Sequence, residues 1–90
     1  MKVARTVEVV NERGLHARAS AKFVKLAGEF DAEVTVSREG QTVDARSIMG
    51  LMMLAAGPGC TIDILADGAE AQAAVDALCE LVADRFHEER

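Results

Sequence analysis

The sequence has no excess of positive charge and no long apolar run, and each absence excludes a class of protein. Ten Lys and Arg residues stand against 15 Asp and Glu, which gives a formal net charge of -5. Nucleic acid is therefore not expected as the main partner, because its phosphate backbone binds basic surfaces. No segment is apolar over the length of a bilayer crossing, and residues 1–6 lack the apolar region of a signal peptide. We therefore expect a cytoplasmic protein that makes no contact with membranes.

Cysteines and catalytic clusters are also scarce. Cys60 and Cys79 lie far apart and form no Cys-x-x-Cys motif and no Cys/His cluster with the spacing of metal ligands. We interpret both as reduced thiols of the core, and a disulfide between them is the less favoured alternative. No paired carboxylates or acid–base pair around a pocket are recognisable. These absences predict no metal and no bound cofactor, and they disfavour a self-sufficient enzyme.

Apolar periodicity predicts four strands and three helices within one domain spanning residues 1–90. The strands are expected at residues 2–10, 32–37, 41–44 and 60–66, and the helices at residues 16–27, 48–54 and 71–86. Asp67 and Glu70 are acids that suit a cap of the third helix, and the polar tail of residues 87–90 is expected to fray. A sheet whose apolar face is covered by helices buries both kinds of element, so the sequence predicts an α+β two-layer sandwich.

Residues 11–21 join the first predicted strand to the first predicted helix. Gly14 allows a tight turn, and the small residues after it place His16 at or near the N-cap of the helix. The first amides of a helix have no intrahelical partner and its macrodipole leaves that end partly positive, so the position suits an anion. Arg18 adds a guanidinium that binds two phosphate oxygens at once. The junction therefore predicts a cradle for a phosphoryl group on the imidazole.

Two motifs in this arrangement resemble one family. Gly14-Leu15-His16-Ala17-Arg18 resembles the active-site motif of HPr, the phosphocarrier protein of the bacterial phosphotransferase system. Arg46-Ser47-Ile48-Met49-Gly50-Leu51-Met52 resembles the regulatory-serine segment of the same family. The length and the element order also match, over essentially the whole chain. The resemblance implies an HPr-like open-faced sandwich of order βαββαβα, with a four-stranded antiparallel sheet and three helices on one face.

The resemblance also implies roles for the first motif. His16 would accept a phosphoryl group at Nδ1 from a phosphoenolpyruvate-dependent enzyme I and pass it to a histidine of an enzyme IIA-type partner, while Arg18 would steady the phosphate. Carriage needs a neutral imidazole, and an unperturbed histidine, with a pKa of about 6.5, is mostly neutral at neutral pH. The segment has no carboxylate directly beside His16, and the junction is expected to leave the ring exposed. The partner enzymes would supply the other catalytic groups, so the chain is expected to be a carrier.

One residue departs from the family pattern. Many members have proline directly after the motif arginine, where this chain has Ala19. Proline suits the first turn of a helix without being required there, and alanine removes no chemical group, so the assignment stands. The exchange also fits a nitrogen-related branch of the family. The sequence leaves open whether the acceptor serves sugar uptake or nitrogen and stress signalling.

Ser47 has a structural and a regulatory interpretation. Serine is a favoured N-cap residue, so Ser47 is expected to open the second helix. The resemblance implies that an HPr kinase/phosphorylase also phosphorylates it. A phosphoserine adds a charge of about -1.5 to -2 at neutral pH, which a helix N-terminus tolerates. The expected effect is therefore on the partners that dock there rather than on the fold.

The second predicted helix carries more apolar residues than a single buried stripe holds. Leu51 and Leu54 are assigned to the core. Ile48, Met49 and Met52 are assigned to the surface. The residues assigned to partner docking are Leu15, Ala17, Ile48, Met49 and Met52. An exposed apolar patch marks a binding site, and methionine adapts to unlike partners. The alternative is that the domain buries more of this helix.

Other functions remain open from the sequence. A regulatory docking module of the same fold would be controlled through Ser47 without phosphoryl carriage, although His16 is present. Compact α+β sandwiches also serve as small ligand-binding regulatory domains, and a fold does not decide between such uses. We favour the phosphocarrier, acting as a monomer with enzyme I and enzyme IIA-type partners.

Overall fold

The strands and helices follow one another in the predicted order. A computed structural model describes all of residues 1–90. The strands are β1 (Lys2–Glu8), β2 (Glu33–Arg38), β3 (Gln41–Asp44) and β4 (Thr61–Asp67). The helices are α1 (Ala17–Ala27), α2 (Ile48–Met53) and α3 (Ala71–Ala83), and a short 3-10 helix follows at Arg85–His87.

The four strands form one antiparallel sheet with the spatial order β1-β4-β2-β3. Val7 pairs with Ile62 between β1 and β4, and Val36 pairs with Ile64 between β2 and β4. Because side chains alternate along a strand, Ile62, Ile64 and Ala66 face the same side and are buried, whereas the residues between them are exposed. The predicted four-stranded antiparallel sheet is confirmed, and its central strand is apolar on one face.

The helices pack on the apolar face of the sheet and meet one another there. Each contributes a fully buried side chain: Phe23 from α1, Leu51 from α2 and Leu78 from α3. Burial of one such side chain stabilises the fold by about 1.5–3 kcal/mol relative to its exposure. The other face of the sheet is open to solvent, where Leu65 is 41% exposed. The predicted α+β sandwich with helices on one face is thus confirmed, and no helix has both the length and the apolarity of a membrane span.

The third helix ends earlier than predicted. Periodicity extends it to Phe86, but α3 stops at Ala83. Arg85, Phe86 and His87 then have φ values of 57°, 54° and 64°, so the chain turns sharply while Phe86 stays fully buried. Phe86 follows Val82 by four residues, a spacing that one more helical turn would also satisfy. The apolar pattern alone therefore could not reveal the turn.

The tail of the chain is held against the fold, so the prediction that it frays is wrong. The ammonium of Lys22 donates a hydrogen bond to the carbonyl of Phe86 at 2.6 Å. The N–H of Glu12 donates to the backbone oxygen of Arg90 at 2.9 Å. Buried Phe86 anchors the segment, and these bonds then fix the residues around it.

The third helix starts at the predicted residue, but its cap differs from the prediction. The helix begins at Ala71, and Glu70 at its N-cap makes no side-chain cap bond. A carboxylate oxygen of Glu70 instead accepts a hydrogen bond from the N–H of Asp31 at 2.7 Å. Asp67 is the last residue of β4, and Gly68 then has a φ of 151°, a backbone conformation outside the helical region. The two acids therefore do not form the predicted cap.

Both cysteines are free thiols, as predicted. Cys79 lies in the core, and burial raises the pKa of its thiol. Cys60 is half-buried, and its Sγ accepts a hydrogen bond from the guanidinium of Arg38 at 3.2 Å. The prediction of a core thiol therefore holds for Cys79 but not for Cys60, which is only partly buried.

Candidate functional site

The loop before α1 is fixed by a close approach that glycine permits. Gly14 has a φ of 61°, and a Cβ on it would lie 2.3 Å from the carbonyl oxygen of Ala56. The N–H of Leu15 donates to that same oxygen at 3.0 Å. The loop is therefore held against the segment that follows α2. This contact fixes the position of His16, the residue directly before α1.

His16 occupies the N-cap position of α1, as predicted. Its backbone is extended, and its carbonyl accepts the first bond of the helix, from the N–H of Ser20 at 2.9 Å. The imidazole itself does not cap the helix. The N–H groups of residues 17–19 donate no hydrogen bond within the chain. Three free donors therefore lie at the positive end of α1, where a helix binds anions.

Arg18 lies in the first turn of α1 and is exposed. It lines a polar cleft of about 600 Å³ whose walls are Glu12, Arg13, Arg18, Lys22, His87, Glu88, Glu89 and Arg90. Basic side chains outnumber acidic ones in this cleft, four to three, whereas the whole chain has 10 basic and 15 acidic residues. The surface beside His16 is therefore less negative than the rest of the molecule, which favours an anionic group there.

The imidazole of His16 meets a carboxylate from the far end of the chain. Nε2 lies 2.5 Å from Oε2 of Glu88, and the two side chains are only 16% and 18% exposed. The other oxygen of Glu88 accepts a hydrogen bond from Nδ2 of Asn11 at 3.0 Å. That same nitrogen donates to the carbonyl of Gly14 at 2.9 Å. The ring is thus bound through Nε2 and not through Nδ1.

The surroundings of Glu88 favour its ionised form. Burial alone would raise the pKa of this carboxyl, but hydrogen bonds from Asn11 and His16 and the charge of Lys22 outweigh it, so the pKa lies below its ordinary value. An ionised carboxylate accepts hydrogen bonds and donates none. The proton in the short contact therefore belongs to Nε2 of His16.

The expectation of an exposed ring at His16 is wrong, because the imidazole is only 16% exposed. The segment around His16 has no carboxylate, as the sequence indicated, but the fold brings one from the tail. Glu88 stands 72 residues away in the sequence, so local spacing could not show the contact. The one sequence feature that could have indicated the contact is Phe86. A large apolar residue is usually buried, and burial of Phe86 holds the neighbouring tail residues against the fold.

Ser47 caps α2, as predicted. Its Oγ accepts a hydrogen bond from the N–H of Gly50 at 2.9 Å, and the residue is exposed. A Cβ at Gly50 would lie 3.1 Å from that oxygen, so glycine leaves room for the bond. Ser47 therefore closes the N-terminus of α2 while remaining open to another protein.

The solvent side of α2 is apolar. Leu51 and Leu54 are buried, as predicted. The exposed residues, called here the α2 face, are Ile48 at 40%, Met49 at 71%, Met52 at 43% and Met53 at 65%. Met53 could not be assigned from the sequence, because one short helix has too few turns to place every residue.

A cleft of about 320 Å³ joins the α2 face to the imidazole. Its walls are Arg13, Leu15, His16, Met52, Ala55, Ala56 and Gly57. Ala17 is exposed, as a docking residue requires. Leu15 is only 5% exposed and belongs to the core, and its role in docking stays a prediction. The turn at Gly14 and the bond from Leu15 to Ala56 hold that side chain inward.

The sequence was also compared with known protein families. The family model described as "PTS HPr component phosphorylation site" matches residues 3–84. The chain belongs to the HPr family. The match includes the loop before α1, the helices α1 and α2, and Ser47, and it ends before the tail that carries Glu88.

Relatives of this HPr-family chain agree with that assignment. It is 55% identical over 84 residues to phosphocarrier protein HPr of Cupriavidus necator, which covers 93% of this chain and 94% of the relative. It is 47% identical over 87 residues to phosphocarrier protein NPr of Shewanella violacea, covering 97% and 96%. The crystal structure of HPr-C-His from Thermoanaerobacter tengcongensis matches with a TM-score of 0.93 at 36% identity, covering 98% of this chain and 99% of that one. The chain is thus a phosphocarrier of the phosphotransferase system, and its partners belong to that system.

Proposed function

We propose that this chain carries the phosphoryl group on Nδ1 of His16, accepting it from enzyme I and passing it to an enzyme IIA-type partner. The observation that carries the proposal is the difference between the two ring nitrogens. Nε2 is bound to Glu88, whereas Nδ1 has no partner in the chain. His16 is the N-cap residue of α1, and the first three N–H groups of that helix are free. Those groups and Arg18 are hydrogen-bond donors that suit the negatively charged oxygens of a phosphoryl group.

No other group of the carrier forms or breaks a covalent bond in the transfer. In the accepting step the lone pair of Nδ1 forms a bond to phosphorus, and the bond from phosphorus to the donor breaks, its electron pair returning to the donor. In the passing step a histidine nitrogen of the acceptor attacks phosphorus, and the electron pair of the N–P bond returns to Nδ1. Amides and a guanidinium stabilise the charge on the phosphoryl oxygens in both steps.

Labelling tests this proposal directly. Wild-type protein incubated with enzyme I and labelled phosphoenolpyruvate should acquire acid-labile, base-stable label, and His16→Asn should acquire none. His87→Asn is the matched control, because His87 is the other histidine and is exposed. Asparagine suits both backbones, since it is a favoured N-cap residue and tolerates the φ of 64° at His87. Label that persists in His16→Asn would refute the proposal.

The α2 face supports docking of both partners. It is apolar, exposed and joined to His16 through the cleft that Met52 lines. Methionine side chains repack easily, so one surface is able to receive unlike enzymes in turn. A face used in turn by several enzymes must stay uncovered, so we propose a cytoplasmic monomer as the working state.

We also propose that Ser47 is a regulatory phosphorylation site for an HPr kinase/phosphorylase. A phosphate on its Oγ would add about -1.5 to -2 charge next to Ile48 and Met49 and would weaken the docking of enzyme I. The kinase with labelled ATP should label the wild type and the control Ser37→Ala, and leave Ser47→Ala unlabelled. Equal labelling of all three proteins would remove this role.

A further inference from the structure

We infer that Glu88 is a positioning residue for phosphoryl carriage, which selects Nδ1 of His16 as the acceptor and balances the charge that the ring gains. This inference rests on the function proposed above for His16. Glu88 acts only through the imidazole, since its contact is with Nε2. The five-residue motif around His16 contains no carboxylate. The carboxylate of Glu88 comes from the tail, which returns to the loop before α1.

The first effect is on the choice of nitrogen. An imidazole nitrogen attacks phosphorus only when its lone pair is free, and in the neutral ring just one nitrogen has a free lone pair. Oε2 of Glu88 lies 2.5 Å from Nε2 and, as a carboxylate oxygen, accepts the proton that Nε2 carries. Nδ1 therefore keeps its lone pair and is the nitrogen that reacts.

The second effect is on the charge of the phosphorylated ring. When Nδ1 bonds to phosphorus and Nε2 keeps its hydrogen, the ring becomes a phosphoimidazolium with a formal positive charge, and no proton leaves. The carboxylate of Glu88 already lies against the N–H that shares this charge. A charge-assisted hydrogen bond is about twice as strong as a neutral one, so Glu88 favours the phosphorylated carrier.

The carboxylate is held in place before any partner arrives. Asn11 is fully buried, and its Nδ2 donates both to Glu88 and to the carbonyl of Gly14. Its Oδ1 is buried without a partner, so the amide is oriented towards these two acceptors at the expense of its own oxygen. Phe86, two residues before Glu88, is fully buried and anchors the tail. Such preorganisation lets the charge be compensated without rearrangement at the moment of transfer.

The test compares Glu88→Gln with Glu29→Gln. Each removes one negative charge, but Glu29 is exposed and lies beyond the far end of α1. The position of the phosphoryl equilibrium between enzyme I and the carrier should shift about tenfold towards the unphosphorylated carrier in Glu88→Gln. It should stay at the wild-type position in Glu29→Gln. Nitrogen-15 NMR of the unphosphorylated wild type should show the proton on Nε2, with a downfield N–H signal that Glu88→Gln loses.

The outcomes separate this inference from the function it rests on. An equilibrium that is equal in the two variants, with label still on His16, would overturn the role of Glu88 and leave the carrier function intact. Loss of label in the wild type would overturn both. If thermal unfolding shows that Glu88→Gln does not fold, the wild-type spectrum decides alone, and a proton found on Nδ1 overturns the inference.

Discussion

The two nitrogens of the His16 ring have different surroundings, and this difference decides what the residue is able to do. Nε2 is engaged by Glu88, while Nδ1 is free at the start of a helix whose first amides have no acceptor. A lone cap histidine without these neighbours would be an ordinary surface group. The chemistry therefore depends on three single residues, His16, Arg18 and Glu88, two of which lie in one motif.

Arg18→Ala should slow phosphoryl transfer from enzyme I at least tenfold. A hydrogen bond from a charged group contributes about 1.5–3 kcal/mol, and a guanidinium makes two such bonds to one phosphate. Stability should change by less than about 0.5 kcal/mol, because Arg18 is exposed. Rapid-quench transfer assays and urea unfolding measure the two effects. Lys25→Ala, which removes an exposed cation from the other end of α1, is the control, and equal transfer rates in the two variants would contradict the role of Arg18.

Glu88 should also make the fold sensitive to acid. Its pKa in the folded protein lies below the unfolded value of about 4.3, so its ionisation stabilises the fold above that value. The contribution is lost as the pH falls through the lower, folded pKa. The free energy of unfolding, measured with urea from neutral pH into the acid range, should therefore fall more steeply for the wild type than for Glu88→Gln. Parallel curves for the two proteins would show that the contact does not stabilise the fold.

The sequence could reveal only part of the site at the scale of residues. His16, Arg18 and Ser47 stand in continuous motifs, so local pattern and helix chemistry were enough to select them. Glu88 was missed because its contact with His16 spans 72 positions and depends on the turn at the end of α3. Side chains brought together by the tertiary fold leave no local signature.

At the scale of elements, the loop before α1 and the end of α2 form one unit. The carbonyl of Ala56 accepts a bond from Leu15, and Gly14 lies against the same carbonyl. His16 and Met52 line one cleft as a result. The phosphoryl site and the α2 face are therefore held in a fixed relation by backbone contacts rather than by side chains.

Gly14→Ala should destabilise the protein by about 3 kcal/mol, since it adds both a left-handed alanine and a collision with Ala56. Gly40→Ala is the control, because Gly40 has a φ of 82° but no atom within 4 Å of the added Cβ. The control should lose only about 1 kcal/mol, the cost of the backbone conformation alone. Urea unfolding measures both, and equal losses would mean that the close approach does not constrain the loop.

Met49→Ala should lower the affinity for enzyme I by roughly tenfold if the α2 face is the docking surface. Met49 is 71% exposed, so the fold should lose little stability. Leu65→Ala is the control, because Leu65 is an exposed apolar residue on the opposite face of the sheet. Calorimetric titration with enzyme I measures the difference. Equal affinities of the two variants for enzyme I would show that enzyme I does not dock on the α2 face.

The elements themselves were largely predictable, and the exceptions have physical reasons. Alternating apolar residues located every strand within two residues of its observed ends, because β4 and its neighbours bury one face. The predicted end of α3 was wrong, because Phe86 continues the helical spacing of apolar residues although the backbone there is no longer helical. The cap at Asp67 was wrong because β4 extends to that residue. Periodicity reports which side chains are buried, and it does not report where the backbone changes direction.

At the scale of the whole molecule, the topology brings the tail of the chain next to the loop that carries His16. The sheet order β1-β4-β2-β3 and three helices on one face return the end of the chain to the loop before α1. A chain with a net charge of -5 thereby assembles a cleft in which Arg13, Arg18, Lys22 and Arg90 are close together. The net charge argued against nucleic acid as a main partner, but it gave no indication of this local basic surface.

The most direct test of phosphoryl carriage at Nδ1 is a nitrogen-15 NMR spectrum of the protein after phosphorylation by enzyme I and phosphoenolpyruvate. We predict coupling of phosphorus to Nδ1 of His16, while Nε2 keeps its proton against Glu88. Coupling to Nε2, or to a nitrogen of any residue other than His16, would contradict the mechanism.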